Sequence, residues 1–486
     1  MTTDPTTLRE SSPEGLPVAP GLAPALDDLR VPPTPADEGR RVLHLSLLAV
    51  AVALAAALAA ELLILLINGV TRLAFYGELS AAPASPAGHH LGPWVILVPV
   101  AGGLIVGALA RFGSPAIRGH GIPEAMERVL RGESRIAPRV TILKPLSSAV
   151  AIGTGGPFGA EGPIIATGGA LGSLLGQVLA VTADERKVLL AAGAAAGMSA
   201  TFGSPVAAVL LAIELLLFEY RPRSLVPVAF ASATATAVRF AFHGTEPGFT
   251  MGAITQPSGS AIAAYAVLGA LVGLVATWIT RGVYAIEDAF EHLPFHWMWW
   301  PAIGGLAVGL VGYLAPRTLG IGYENIDGIL TGTLVGHALL VLVVLKLASW
   351  AIALGSGTSG GTLAPLFTIG GGIGALMGSA AGRLLPGLGL DPRVAGLVGM
   401  AAMFAGASRA LLASIVFAFE TTRQPLGLLP LLAGCAAAYL ISLLRMRHTI
   451  MTERLARRGT PVATEYASDH LAHQLVRDHA AAPVIS

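Results

Sequence analysis

The sequence predicts an all-α polytopic membrane protein built from broken helices, and three observations predict it. Of 486 residues, 54% are apolar and 12% charged, about half the charged share of a soluble domain. Mean hydropathy is +0.70, and the apolar residues gather into runs of membrane-spanning length. The 60 glycines and 33 prolines follow no collagen period; many fall as pairs that interrupt those runs. This composition excludes a soluble enzyme, a nucleic-acid binder and a disulfide-bonded secreted scaffold. A net charge of +1 supplies no bulk field for an acidic partner. The single Cys435 lies in an apolar stretch and reads as a small core residue.

Taken in order, residues 1–40 differ from the rest. Eight prolines, many charges and few large apolar residues predict a disordered tail. No basic segment leads directly into an apolar core there, so it does not read as a signal peptide. The segment 44–68 is almost wholly Leu, Ala, Val and Ile, enough to cross about 30 Å of hydrocarbon. Further apolar stretches are expected near 93–112, 140–156, 162–180, 186–200, 202–219, 224–242 and 261–289. Others fall near 296–314, 334–354, 363–384, 392–406, 409–422 and 426–444. Several are too short for a full crossing, and broken helices survive in a membrane only where the freed backbone is buried or lines a cavity. Many short spans therefore predict a transport pathway of half-helices. Arg221, Arg223, Arg445, Arg447, Arg454, Arg457 and Arg458 mark the cytoplasmic side, and the loop 77–92, without Lys or Arg, the outer one. Both termini are expected in the cytoplasm. Only residues 459–486 follow Arg458, so a short tail and no large cytoplasmic domain is expected.

The chain repeats itself. Gly119-His120-Gly121 recurs in weaker form as Gly320-Ile321-Gly322, and Gly159-Ala160-Glu161-Gly162-Pro163 as Gly361-Thr362-Leu363-Ala364-Pro365. Gly168 and Gly169 match Gly370 and Gly371, Gly172 matches Gly374, and the run ending at Glu214 matches the one ending at Glu420. Four features in one order at offsets of 201 to 206 predict a two-fold repeat, with halves near 41–243 and 260–458. The repeat alone leaves parallel and inverted halves open.

Three glycine-proline segments open apolar spans. Each reads as a flexible loop with Pro near a first helical turn. A helix N-terminus presents free N–H groups and partial positive charge. Several converging on one point bind an anion without holding it as tightly as a buried cation would. Glu161 lies at such a start, and an ionisable group inside a span marks a functional site. Its carboxylate can sit in the anion site as a tethered anion, and protonation would release it.

At these residues the chain resembles the CLC chloride channels and transporters. Gly119-His120-Gly121-Ile122-Pro123, Gly159-Ala160-Glu161-Gly162-Pro163 and Gly361-Thr362-Leu363-Ala364-Pro365 are similar to the family's G-S-G-I-P, G-R-E-G-P and G-x-F-x-P segments. The resemblance covers about 42–458. It implies an inverted repeat of about 16–18 broken and tilted helices. It also implies a homodimer in the lipid bilayer with one pore per subunit, chloride or a related monovalent anion as substrate, possible proton exchange, and no cofactor or enzymatic activity. It places the gate at Glu161. It places the anion site at His120, Gly121, Ile122, Pro123, Gly159, Ala160, Gly162, Gly361, Thr362, Leu363 and, at the inner gate, Met451. Lys144 matches a buried family lysine.

The departures from the family pattern shape the expected mechanism. His120 stands for a serine, Ala160 for an arginine, Leu363 for a phenylalanine and Met451 for a tyrosine. Where exchangers carry paired glutamates the chain has Glu214-Leu215. Losing a titratable group at 215 and a hydroxyl at 451 predicts anion flux with little or no proton coupling. The alternatives are chloride/proton exchange through His120, Glu214 or water, and selection of another anion such as fluoride. A membrane-embedded enzyme is remote, since the sequence has no H-E-x-x-H and no nucleophile elbow. Glu287, Asp288 and His292 read as a solvated loop cluster, Glu61 as an interface residue, and Asp184, Glu185, Arg186 and Lys187 as an exposed connector.

Overall fold

The computed structural model describes residues 35–460 except 132 and 180, together with 462. The predicted tails therefore lie outside the described residues as far as 34 and, save 462, from 461 onward. Residues up to Leu45 and those from Ser46 form two units. The described part of the first is the opening of a helix, and all that follows concerns the second.

Seventeen α-helices occur among the described residues. They are α1 Pro35–Thr71, α2 Leu97–Ala108, α3 Ile122–Arg131, α4 Pro138–Gly153, α5 Glu161–Val178 and α6 Ala183–Phe202. Next come α7 Pro205–Ala212, α8 Pro222–His243, α9 Gly259–Glu291, α10 Trp300–Leu314, α11 Tyr323–Thr331 and α12 Gly336–Gly355. The last are α13 Leu363–Leu384, α14 Pro392–Ser408, α15 Leu411–Thr422, α16 Leu428–Arg445 and α17 Glu453–Arg457. Among the described residues, eight helical segments are long and apolar enough to cross a membrane. The starts follow local rules. Pro occupies the first turn of α4, α7, α8, α10 and α14, where a missing N–H costs nothing.

The two halves of the repeat are related by contacts made twice. The Glu214 carboxylate, just past α7, accepts from the Leu412 and Ala413 amides opening α15, at 2.9 and 3.0 Å. Glu420, near the end of α15, accepts from the Val206 and Ala207 amides opening α7, at 3.1 and 2.9 Å. Each helix ends at the other's beginning, so these equivalent helices run antiparallel and the halves are inverted. Lys144 Nζ donates to the Ile117 and Gly119 carbonyls at 2.8 and 2.7 Å. Lys346, its counterpart, donates to Thr318 and Gly320 at 2.9 and 2.8 Å. The helix pairs α5–α6 and α13–α14 also match, through Gly168 against Gly193 and Gly370 against Gly399. A methyl on Gly193 would meet the Gly168 carbonyl carbon at 2.7 Å, and one on Gly399 would meet Gly374 Cα at 2.8 Å. Small residues let backbones touch where hydrophobic driving force is absent.

Several sequence readings need adjustment. Glu287 and Asp288 lie within α9, not in a loop, and pair with Arg454 and Arg457. Asp184 to Lys187 open α6 under a capping box formed by Thr182 and Glu185, and Arg186 is buried. Glu61 pairs with His243 at 2.8 Å. Apart from those readings, the small residues of α16 pack within the chain: a methyl on Gly273 of α9 would fall 2.7 Å from Ala438 Cα. Its exposed face is leucine, including Leu429, Leu432 and Leu440.

Candidate functional site

Three loops that open helices meet at Gly162. A methyl there would lie 2.9 Å from Gly361 Cα and 3.3 Å from the His120 carbonyl carbon. Gly159 and Gly361 exchange backbone hydrogen bonds, 3.1 Å from Gly159 N to Gly361 O and 2.9 Å in return. Side chains would hold these strands apart, which is why both segments need glycine. Gly119 and Gly121 have φ of +93° and +95°, a backbone region that L side chains rarely adopt. The Gly121 amide donates to Glu124 Oε2 at 2.7 Å, and Ile122 and Pro123 begin α3. The starts of α3, α5 and α13 are thereby gathered around one point, and their unpaired amides make it attractive to anions.

Glu161 occupies this point. It is fully buried and its carboxylate folds back over Gly159: a methyl on Gly159 would meet Glu161 Cδ at 2.6 Å, and one on Gly361 would meet Oε2 at 3.2 Å. Tyr323 Oη donates to Glu161 Oε1 at 2.7 Å, and among the described residues Oε2 has no hydrogen-bond partner. A carboxylate is an anion with two acceptor oxygens. One oxygen is held by the phenol and the other lies buried near Gly361. The Tyr323 ring is fixed by edge contacts to Phe202, at 5.7 Å and 69°, and Phe249, at 6.1 Å and 66°. Phe202 in turn meets Phe417 at 4.9 Å and 89°.

The other predicted residues are placed as follows. Ala160 immediately precedes Glu161 and is fully buried, as is Leu363. His120 is buried with Nδ1 unpartnered, and Thr362 has a buried, unpartnered Oγ1. Neither atom has a hydrogen-bond partner among the described residues. Met451 is fully buried; its amide donates to Thr449 Oγ1 at 3.2 Å. The neighbouring Ile450 carbonyl accepts from Tyr284 Oη at 2.8 Å, so a hydroxyl is present one residue away on the backbone. Glu214 is engaged at the start of α15, and Leu215 is buried.

Two residues escaped the sequence reading. Lys346 stands 202 residues after Lys144, so the repeat offset would have found it. Tyr323 follows Gly322 in the recognised repeat, but its bond to Glu161 spans 162 residues and carries no local signature.

Comparison with known proteins bears on this geometry. The voltage-gated chloride channel family model matches residues 102–443. The chain is 30% identical over 387 residues to the H(+)/Cl(-) exchange transporter ClcA of Vibrio campbellii, covering 77% of this chain and 82% of that one. It is 31% identical over 374 residues to chloride channel protein CLC-f of Arabidopsis thaliana, covering 71% of this chain and 46% of the relative. A slow cyanobacterial Cl-/H+ antiporter superposes with a TM-score of 0.74 at 23% identity, covering 86% of this chain and 98% of that structure.

Proposed function

The chain belongs to the voltage-gated chloride channel (CLC) family of anion transporters, and from that premise we propose that Glu161 gates a chloride pathway with little or no proton coupling. The observation that carries the gate is the Glu161 carboxylate lying at the junction of three helix starts, held by Tyr323. Ionised, it occupies the anion's place. Protonated, it loses the charge that holds it there, and the site opens. The loops holding His120, Gly121, Gly159, Gly162, Gly361, Thr362 and Leu363 then frame the anion, with the free amides that open α5 and α13 and two polar side chains as donors.

Weak coupling rests on the inner half of the route. A coupled exchanger moves protons between Glu161 and the far side through titratable groups or water. Leu215 cannot carry a proton, and both oxygens of Glu214 already accept amide hydrogens. Met451 offers no hydroxyl to hold an anion while a proton crosses. One observation favours the rival reading. His120 Nδ1 is buried and without a partner among the described residues, and an imidazole can carry a proton on either ring nitrogen, so it suits a replacement relay. We also place the arginine-rich helix ends in the cytoplasm, and the leucine face of α16 against a second subunit.

Proteoliposomes loaded with a pH dye and subjected to a chloride gradient test the coupling. The expected result is chloride flux with no sustained uphill proton movement. Proton pumping abolished by His120→Ser would establish the exchange reading instead. Parallel runs with nitrate and fluoride identify the preferred anion.

A further inference from the structure

Arg118 lies two residues before His120, in the loop that leads to the anion junction. Its guanidinium rests against two indoles, 4.8 Å from the Trp297 ring centre and 5.5 Å from that of Trp300. The rings fix its plane and shield its faces, and a cation over an indole is held by about 0.5–2 kcal/mol. They satisfy none of its five N–H donors. Among the described residues Arg118 makes no side-chain hydrogen bond or ion pair, and its Nε is buried without an acceptor. The neighbouring arginines differ. Arg454 bridges Glu124 and Glu287 at 3.1 and 2.5 Å, and Arg458 pairs with Glu127 at 2.6 Å.

These groups line one cavity of about 350 Å³, bounded by α3, the end of α9, the start of α10 and α17. It reaches Gly121 and Lys144, so it abuts the loop that carries His120. Five cationic and four acidic side chains line it, leaving one positive charge in excess. Three of the acids are bound to arginines as described, and Glu291 stands exposed at the rim. Of the lining cations not paired with an acid, Lys144 is bound to two carbonyls, which leaves Arg118, with Glu287 and Glu291 in its field, as the arginine with donors held rigid and unmatched. Arg128, the other unpaired arginine on the wall, is exposed and solvated.

From this geometry we propose that the cavity is an anion-holding station, in which a monovalent, weakly hydrated anion bonds to the Arg118 guanidinium before or after passing the junction. The proposal rests on the reading of the chain as an anion pathway past Glu161. The single excess charge favours a monovalent ion, and the acidic rim repels multiply charged ones. The indole walls favour an anion that sheds water readily, such as bromide, nitrate or iodide, over a strongly hydrated one. Sharing the guanidinium with aromatic faces keeps the ion from being held as firmly as by a bare buried charge, which a transport route requires.

The test uses the indoles as reporters. Bromide or iodide bound at Arg118 quenches Trp297 and Trp300 in the purified full-length protein. The wild type is expected to show a saturable quenching component that Trp297→Phe with Trp300→Phe removes. Arg118→Gln is expected to weaken that component roughly tenfold or more, the scale of lost charge-assisted hydrogen bonds. Arg118→Lys, which keeps the charge and guards against a folding defect, should fall between the two. Arg118→Gln is also expected to raise the chloride concentration for half-maximal flux, and to do so equally in a Glu161→Gln background. A wild type with no saturable component, or an Arg118→Gln variant that saturates at the wild-type concentration, overturns the proposal. The quenching does not pass through Glu161, so it stays readable if the gate is assigned wrongly.

Discussion

At the scale of the residue, if Glu161 is the gate proposed above, the Tyr323 hydroxyl sets how readily it leaves the junction. A phenol donating to a carboxylate stabilises the ionised form, the one that blocks the path in that proposal. A hydrogen bond to a charged group contributes about 1.5–3 kcal/mol, which corresponds to roughly one to two pH units. Tyr323→Phe keeps the ring and its packing on Phe202 and Phe249 and removes only the donor. Protonation then becomes easier, so the pH of half-maximal flux should move upward by about one to two units, and flux at neutral pH should rise. Anion efflux from proteoliposomes, followed across external pH, measures this. An unchanged midpoint would leave Tyr323 as a packing residue. Lys144 and Lys346 show a different role for buried charge. Each is tied to two carbonyls of a loop that leads into a helix, holding that loop while its amides turn elsewhere.

At the scale of the element, the reciprocal carboxylates of Glu214 and Glu420 join α7 to α15. Each supplies two acceptors to helix-opening amides, the work of an N-cap carried out from another helix. Loss of an N-cap acceptor costs about 0.5–2 kcal/mol. Glu214→Gln and Glu420→Gln should each lower thermal stability by that order, and by similar amounts, because the two sites are related by the repeat. Thermal unfolding in detergent, with proton movement followed in parallel, checks both halves of the claim. If Glu214→Gln alters proton flux and leaves stability intact, Glu214 belongs to a relay and not to a cap. The long spans were legible in the sequence because hydropathy alone marks them: the stretch near 363–384 is α13, Leu363–Leu384. The short helices α11 and α17 were not, nor was the extent of α3 beyond its marked start, since they have 9, 5 and 10 residues and carry charges. The three signature loops could be read because glycine and proline mark a required backbone shape. The Tyr323 bond could not, because it depends on how the two halves are folded against each other.

At the scale of the whole molecule, the inverted repeat explains why a pathway can exist without a lined tube. Two copies of a loop-then-helix unit, facing opposite ways, bring helix starts from both halves to one buried point. We propose that the leucine face of α16 meets a second subunit, since Gly434 and Ala438 are committed to α9. Subunit counting by single-molecule photobleaching in bilayers should give two, with flux per subunit unchanged when one member of the pair is inactivated. A stable, active monomer would remove this face from that role.

The most direct measurement concerns the gate. Anion efflux from proteoliposomes, recorded over a range of external pH, compares the wild type with Glu161→Gln. Glutamine matches the shape of the protonated side chain and cannot ionise. If Glu161 is the gate, wild-type flux rises as the pH falls, because protonation releases the carboxylate from the junction. The variant then shows high flux that is nearly independent of pH. Flux in the variant that follows the same pH dependence as the wild type would contradict the account.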